Sequence, residues 1–387
     1  VSKLKRPAYI RGVALTPFGR LPGRSALSWQ AHASLEAIRD ASIDLNEVDA
    51  VLCGYATTLG HLMPANLLSE ALGIKPTIAF GMSVGGATGL SMLAQATALI
   101  ESGRAQNVLV AAGENRASGL SRDDAIAAIA QVGQRDYEVP LGANVPAYYA
   151  LLASYYLHRH DKSATEALSP LAVLMRTHAL AHPGAQFHDP ITTKDVSESR
   201  PIAEPLRLLD CCPISDGGAA FVVSAEPGSR SIPVLGVGQS HRHQHVSMAD
   251  FEDFGARQSA QSAFQDAGVK IDSVDIAGIY DSFTITLAIL LEEIGFAPPG
   301  HSGECARAGT FSRSGRLPLN THGGLLSYGH CGVGGGMAHV AEVVSQLRGE
   351  AGTRQIPKVL QIGFVHADGG VLSAHVSVVL GSAGERL

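Results

Sequence analysis

The feature that most constrains this chain is that it repeats itself. Asp40-Ala41-Ser42-Ile43, followed by Val48-Asp49-Ala50-Val51, recurs as Asp266-Ala267-Gly268-Val269 followed by Val274-Asp275-Ile276-Ala277, at a constant offset of 226 residues. Each copy reads as the end of an amphipathic helix, a short polar turn and an apolar strand. A second pair matches Asn107–Gly113 with Lys358–Gly363 at an offset near 251, and both are predicted to be buried strands. Before each stands a glycine-rich opening, Gly85-Gly86-Ala87-Thr88-Gly89-Leu90 or Gly334-Gly335-Gly336-Met337-Ala338. The small, apolar residues that follow predict helices buried on nearly all sides. Each half closes on a further strand, 219–224 or 374–380. Such a repeat predicts an α/β fold of two duplicated βαβαβαββ halves, assigned to 1–230 and 231–387. The first half carries an excursion without counterpart, at about 115–205. It includes helices expected from about Pro146 to His160 and near Ser169–Ala181, and it reads as a lid or binding loop over the active face.

Composition narrows the function. Hydrophobic residues make up 45% and charged residues 17%, which excludes a disordered chain. The formal net charge is -6 with no basic stripe, which argues against a nucleic-acid role. No apolar run reaches the ~18 residues of a membrane span. Val1–Pro7 has no apolar stretch behind its charges, and Gly384-Glu385-Arg386-Leu387 is not a peroxisomal address. Five cysteines do not make a disulfide framework, so a reducing cytoplasm is the expected location.

Four glycine-framed loops carry the candidate chemistry: Phe80–Gly86, Ile279–Thr284, Asn320–Gly332 and Val365–Gly370. Several other features have plainer readings. Ser83 can serve as a helix cap. Cys211-Cys212 lacks a second pair at ligand spacing and reads as buried, and Cys331 reads as packing. His241-x-His243-x-His245 reads as a polar loop, so no metal site is expected. Cys53 and Cys305 have no partner in the sequence.

In these loops the chain resembles the thiolase superfamily, most closely its sterol-carrier-protein-x type. The resemblance spans nearly the whole chain and rests on the duplicated halves, on Asn320-x-x-Gly323-Gly324…Gly329-His330 and on Leu209–Ala219. It implies five layers, α/β/α/β/α, and usually a homodimer joined near Ala79–Met82. It also implies an acyl-CoA thioester as substrate, with no separate cofactor. In that family the first loop presents a cysteine at the start of a buried helix, where the helix end favours a thiolate and backbone N–H groups hold the oxyanion. Aligned so, the nucleophile position falls on Ser83. The second loop places Tyr280 and Ser282 where the family has an Asn or His and, in the sterol-carrier-protein-x type, a Cys. The third keeps His330, which in the family donates to the thioester oxygen. The fourth aligns His366 with a proton-shuttling Cys.

The catalytic expectation is therefore Ser83, Tyr280, His330 and His366, with Gly85, Ser282, Gly369 and Gly370 at the oxyanion or substrate. The leading functional expectation is acyltransferase-type carbon–carbon chemistry beside a thioester, with Ser83 as nucleophile. One alternative is retro-aldol cleavage of a β-hydroxyacyl-CoA, with Tyr280 or His330 taking the hydroxyl proton and no covalent intermediate. The other is a non-catalytic acyl-CoA or lipid-binding subunit. A small OB-fold, zinc-ribbon protein is an expected partner.

Overall fold

The duplication is written into one sheet. The computed structural model describes residues 6–142 and 144–383. The stretches read for targeting, Val1–Lys5 and Gly384–Leu387, lie outside the described residues. The first half runs β1 (Tyr9–Leu15), α1 (Ala26–Ala41), β2 (Ala50–Gly54), α2 (Pro64–Leu72), β3 (Ile78–Met82), α3 (Thr88–Glu101) and β4 (Asn107–Asn115). The excursion contributes α4 (Arg116–Gly119), α5 (Arg122–Ala130), α6 (Val145–His160), α7 (Ala164–Ala167), α8 (Ser169–Ala179), α9 (Thr193–Glu198) and the small pair β5 (Pro201–Ala203) and β6 (Leu206–Arg207). Then β7 (Asp216–Ser224) closes the half. The second half runs β8 (Ile232–His241), α10 (Ala256–Ala267), β9 (Ile276–Ile279), α11 (Thr284–Ile294), α12 (Ser302–Arg307), α13 (Gly324–Ser327), α14 (Val333–Leu347), β10 (Gly363–Gly369) and β11 (Ala374–Leu380).

The sheet order is β3-β2-β4-β7-β1-β8-β11-β10-β9. The halves meet at β1 and β8, and the pattern of directions repeats on either side. Strands β2 and β4 pair in parallel, as do β9 and β10. Strand β7 runs antiparallel to β4 and β1, as β11 does to β10 and β8. The second-half counterpart of β3 is reduced to one parallel bridge, Ala277 with Leu319.

Matched carboxylates hold the matched elements. Asp49 accepts from the backbone N–H of Gln106 (2.8 Å) and Asn107 (3.0 Å), and Asp275 from Gln361 (2.8 Å) and Ile362 (3.1 Å). Asp40 accepts from Val13 (2.9 Å), and Asp266 from Val237 (3.1 Å). These bonds correct the register of the second repeat. Val108 lies beside Ala50 as Gly363 lies beside Ile276, so the true offset of this strand pair is 255, not about 251. The apolar residues at 358–362 are not strand; β10 begins only at Gly363, beyond the N–H groups that Asp275 engages.

Helices α3 and α14 touch strands of both halves, while α1 and α2 cover the outside of one half and α10 that of the other. The sheet thus wraps the two central helices and produces five layers. Helix α14 is buried at every position except Ser345, as its small-residue sequence requires. At the far edge, β3 pairs only with β2 and leaves Phe80 and Gly81 exposed.

Candidate active site

Strand β9 ends one residue before Tyr280, whose backbone N–H donates to the His366 carbonyl (3.0 Å). Asn320 clamps that strand end: its Oδ1 accepts from the Ile279 N–H and its Nδ2 donates to the Ile279 carbonyl, both at 2.8 Å. The next residue, Asp281, accepts from the N–H groups of Leu325 (2.7 Å) and Leu326 (3.4 Å), so the second loop holds the third. Ser215, from the stretch before β7, fixes His330. Its hydroxyl accepts from the His330 N–H (2.9 Å) and its own N–H donates to the His330 carbonyl (3.0 Å). These ties bring Tyr280 Oη to 3.0 Å from His330 Nε2, with the rings perpendicular.

The first loop faces this pair with a glycine. A Cβ added at Gly86 would lie 2.2 Å from Tyr280 Oη and 2.5 Å from the Asp368 carbonyl oxygen. Ser83 is exposed at the end of β3. The residue whose side chain would meet Tyr280 is therefore 86, not 83. The turn into α3 is held by Thr88, whose Oγ1 accepts from the Val84 N–H (2.8 Å) and donates to the Gly85 carbonyl (2.6 Å). Gly85 and Gly369 allow the two halves to touch through backbone. A Cβ at Gly85 would lie 2.6 Å from the Gly370 nitrogen, and one at Gly369 would lie 2.1 Å from the Val84 carbonyl. Val84, Gly85, Gly86, His330 and Gly370 keep partial exposure and form the mouth of the site.

His366 does not face the pair. Its ring turns into the second half, with Nδ1 2.8 Å from Ser377 Oγ and Nε2 3.1 Å from His375 Nδ1. Beyond it, Ser377 meets Ser259 of α10. Two residues on, Asp368 is buried. Its Oδ2 accepts from Tyr149 Oη and from the Leu372 N–H, both at 3.3 Å, and its buried Oδ1 has no hydrogen-bond partner. Tyr149, on α6 of the excursion, also donates to the Gly370 carbonyl (3.1 Å) and stacks on Phe283. Ser282 Oγ lies 3.4 Å from Thr286 Oγ1.

Burial sets the protonation states. It drives the His330 imidazole down to about 3, with the Arg116 guanidinium as a second cause, so this ring is neutral at pH 7. Burial, then the nearby Asp368 charge, pushes the Tyr280 hydroxyl well above its ordinary range. Burial raises Asp368 to about 7 against its backbone and Tyr149 hydrogen bonds. The Cys212 and Cys331 thiols are also pushed well up by burial, so neither supplies a thiolate near neutral pH. Among the described residues, no three or more His, Cys, Asp or Glu are grouped to hold a metal.

Residues 8–227 match the family model for the thiolase N-terminal domain, and residues 238–382 match the thiolase C-terminal domain-like family. The chain belongs to the thiolase superfamily. The thiolase-like chain is 29% identical to an acetyl-CoA acetyltransferase of Methanothermobacter thermautotrophicus, over 96% of this chain and 99% of that one. It is 31% identical to a steroid side-chain-cleaving aldolase of Thermomonospora curvata, over 90% of this chain and 92% of that one. Among solved structures, the Ltp2-ChsH2(DUF35) aldolase superposes with a TM-score of 0.84 at 29% identity, covering 99% of this chain and 100% of that one.

Of the residues expected from sequence, Tyr280 and His330 meet each other, and Gly85, Gly369 and Gly370 line the contact beneath them. Sequence reasoning missed Gly86, Asp368 and Tyr149. An acid directly before Gly369-Gly370 was a readable signal for Asp368. No local signal pairs Tyr149 with Asp368, because their contact spans 219 residues of chain.

Proposed function

We propose that this thiolase-like chain acts on acyl-CoA thioesters and cleaves the Cα–Cβ bond of a β-hydroxyacyl-CoA by retro-aldol chemistry, without a covalent acyl-enzyme. The observation that carries the reading is the contact at Gly86: the Tyr280 hydroxyl fills the space that a nucleophilic side chain on the first loop would need. The names of the Thermomonospora relative and of the superposed aldolase support it.

In a retro-aldol step the β-hydroxyl loses its proton, the β-carbon becomes a carbonyl, and the Cα–Cβ electron pair passes into the thioester as an enolate. The site must hold that developing oxyanion. His330 Nδ1 is buried without a partner. Placing the single proton of the neutral ring on Nε2 leaves a bare acceptor there rather than an unpaired N–H. Nε2–H then donates to Tyr280 Oη, which frees the phenol O–H to donate to the thioester oxygen. A hydroxyl whose proton is held this firmly serves as a donor, and a ring driven down to about 3 is a poor base at pH 7. One preorganised donor of this kind contributes on the order of 10²–10³ in rate. The small OB-fold, zinc-ribbon partner expected from the resemblance belongs to this reading, as does a homodimer closing the open edge of β3.

The experiment is release of a ketone or aldehyde from a β-hydroxyacyl-CoA, followed as its hydrazone, with intact mass of the protein in parallel. Release should occur without an acyl adduct and should drop about 10²-fold or more in Tyr280→Phe. An acyl adduct on Ser83, with release unaffected by Tyr280→Phe, would overturn the reading in favour of acyl transfer. Tight acyl-CoA binding with no turnover would favour a binding subunit instead.

A further inference from the structure

The Tyr280–His330 pair supplies donors, and the chemistry still needs a group that takes a proton and gives it back. Resting on the cleavage reading above, we infer that Asp368 is that acid–base residue, taking the β-hydroxyl proton as the Cα–Cβ bond breaks and returning it to Cα of the enolate, with Tyr149 as the positioning residue for its carboxyl.

The geometry singles out this carboxyl. Asp368 stands at the end of β10, 1% exposed, and its carbonyl oxygen and Tyr280 Oη border the same point beside Gly86. Its two oxygens are not equivalent. Oδ2 is held from one side by the excursion, through Tyr149, and from the other by the Leu372 N–H. Oδ1 is buried and unpartnered. A buried carboxylate oxygen without a donor is costly unless something brings one, and a substrate hydroxyl is such a donor.

The groups around the carboxyl leave it as the one that changes charge near neutrality. Tyr149 from α6 and Tyr280 from the loop after β9 are both held well above the ordinary phenol range, chiefly by burial. On its own strand, His366 is pushed well below its ordinary value by burial. Directly across on β11, His375 is driven down to about 4 by the same cause. Asp368, raised by burial to about 7, is poised between its two forms, where an acid–base group works best.

The step balances without a co-reactant. The substrate O–H bond breaks as Oδ1–H forms, the β-carbon gains its C=O bond, and the Cα–Cβ pair becomes the enolate. Oδ1–H then breaks as Cα–H forms, the enolate oxygen pair returns to the thioester carbonyl, and the carboxylate is restored.

The second half-step can be tested alone, as exchange of the α-hydrogens of propionyl-CoA in D2O, read by mass on the full chain. Wild-type exchange should rise with pH through a single ionisation near the value of Asp368, because the carboxylate is the active form. Asp368→Asn, nearly isosteric, should lose about 10²-fold or more in both exchange and cleavage. Tyr149→Phe removes a hydrogen bond that favours the carboxylate, so the midpoint should move up; a merely structural role would lower the rate and leave the midpoint in place. Should Asp368→Asn fail to fold, the Tyr149→Phe midpoint decides. Exchange retained within a few fold by folded Asp368→Asn, a Tyr149→Phe midpoint left in place, or wild-type exchange that is absent or flat between about pH 5.5 and about pH 8.5, overturns the inference. Carbonyl release that persists in Asp368→Asn refutes Asp368 and leaves the cleavage reading standing. Asp368-dependent exchange without release from any β-hydroxyacyl-CoA does the reverse.

Discussion

Gly86→Ala is the sharpest perturbation of this site, because it adds one methyl group at the point where the first loop, Tyr280 and Asp368 converge. The new Cβ would lie 2.2 Å from Tyr280 Oη, 2.5 Å from Tyr280 Cζ and 2.5 Å from the Asp368 carbonyl oxygen. None of these atoms is the free end of a flexible chain. Tyr280 is tied to His330 at one end and follows a strand clamped by Asn320 at the other, and the Asp368 carbonyl belongs to β10. Tyr280 must therefore withdraw by about 1 Å to regain ordinary contact distance. Overpacking of this kind costs about 1–3 kcal/mol of stability, and a displacement of about 1 Å in a positioning group costs on the order of 10²-fold in rate. The assay is carbonyl release from a β-hydroxyacyl-CoA, with thermal denaturation beside it. Tyr280→Phe alone should lose a similar factor, and the double variant should lose little more than either single one, since both changes remove the same hydroxyl from its place. Release within about twofold of wild type in Gly86→Ala, with an unchanged melting temperature, would show that the Tyr280 hydroxyl does not occupy this space.

Two further outcomes test the fold. Asp49→Asn and Asp275→Asn each weaken a carboxylate that accepts from two backbone N–H groups at equivalent strand starts, so each should cost about 1–3 kcal/mol in urea denaturation and by similar amounts; a silent variant would mean that the energetic duplication is broken. Stability should also fall as pH drops below the ordinary histidine range. His322, His339 and His366 are held well below that range by burial, and His330 at about 3, so the unfolded chain takes up protons there that the folded chain does not. Each such group removes up to ~1.4 kcal/mol per pH unit below about 6.5. Asp368, with its raised value, works in the opposite direction between its ordinary range and about 7, and it offsets only part of the loss. Melting temperatures at about pH 7.5 and 5.5 check the sign. His322→Phe, which removes a buried ring with two unpartnered nitrogens, should flatten the slope; a melting temperature that rises on acidification would refute the account.

What the residues determined by themselves was the duplicated architecture, and the family resemblance they carry added the identity of the central pair. Helix and strand periodicities are local, so the repeat around Asp40–Val51 and Asp266–Ala277 reads directly as α1–β2 and α10–β9. Tyr280 and His330 sit in loops framed by strand ends and glycines, and the resemblance to the thiolase loops singled them out there. The register of β10 was not, because the apolar run at 358–362 looks like a strand whether or not it has a partner, and only Asp275 and β9 decide where pairing begins. The same limit governs the site. The family resemblance pointed to Ser83 and His366, and tertiary structure turned one toward solvent and the other toward α10, setting Gly86 and Asp368 against Tyr280 instead. Which way a loop residue faces depends on groups from distant segments, such as the Ser215, Asn320 and Gly370 groups that hold these loops. A local pattern carries the burial of an element's face, but not which remote segment comes to meet it.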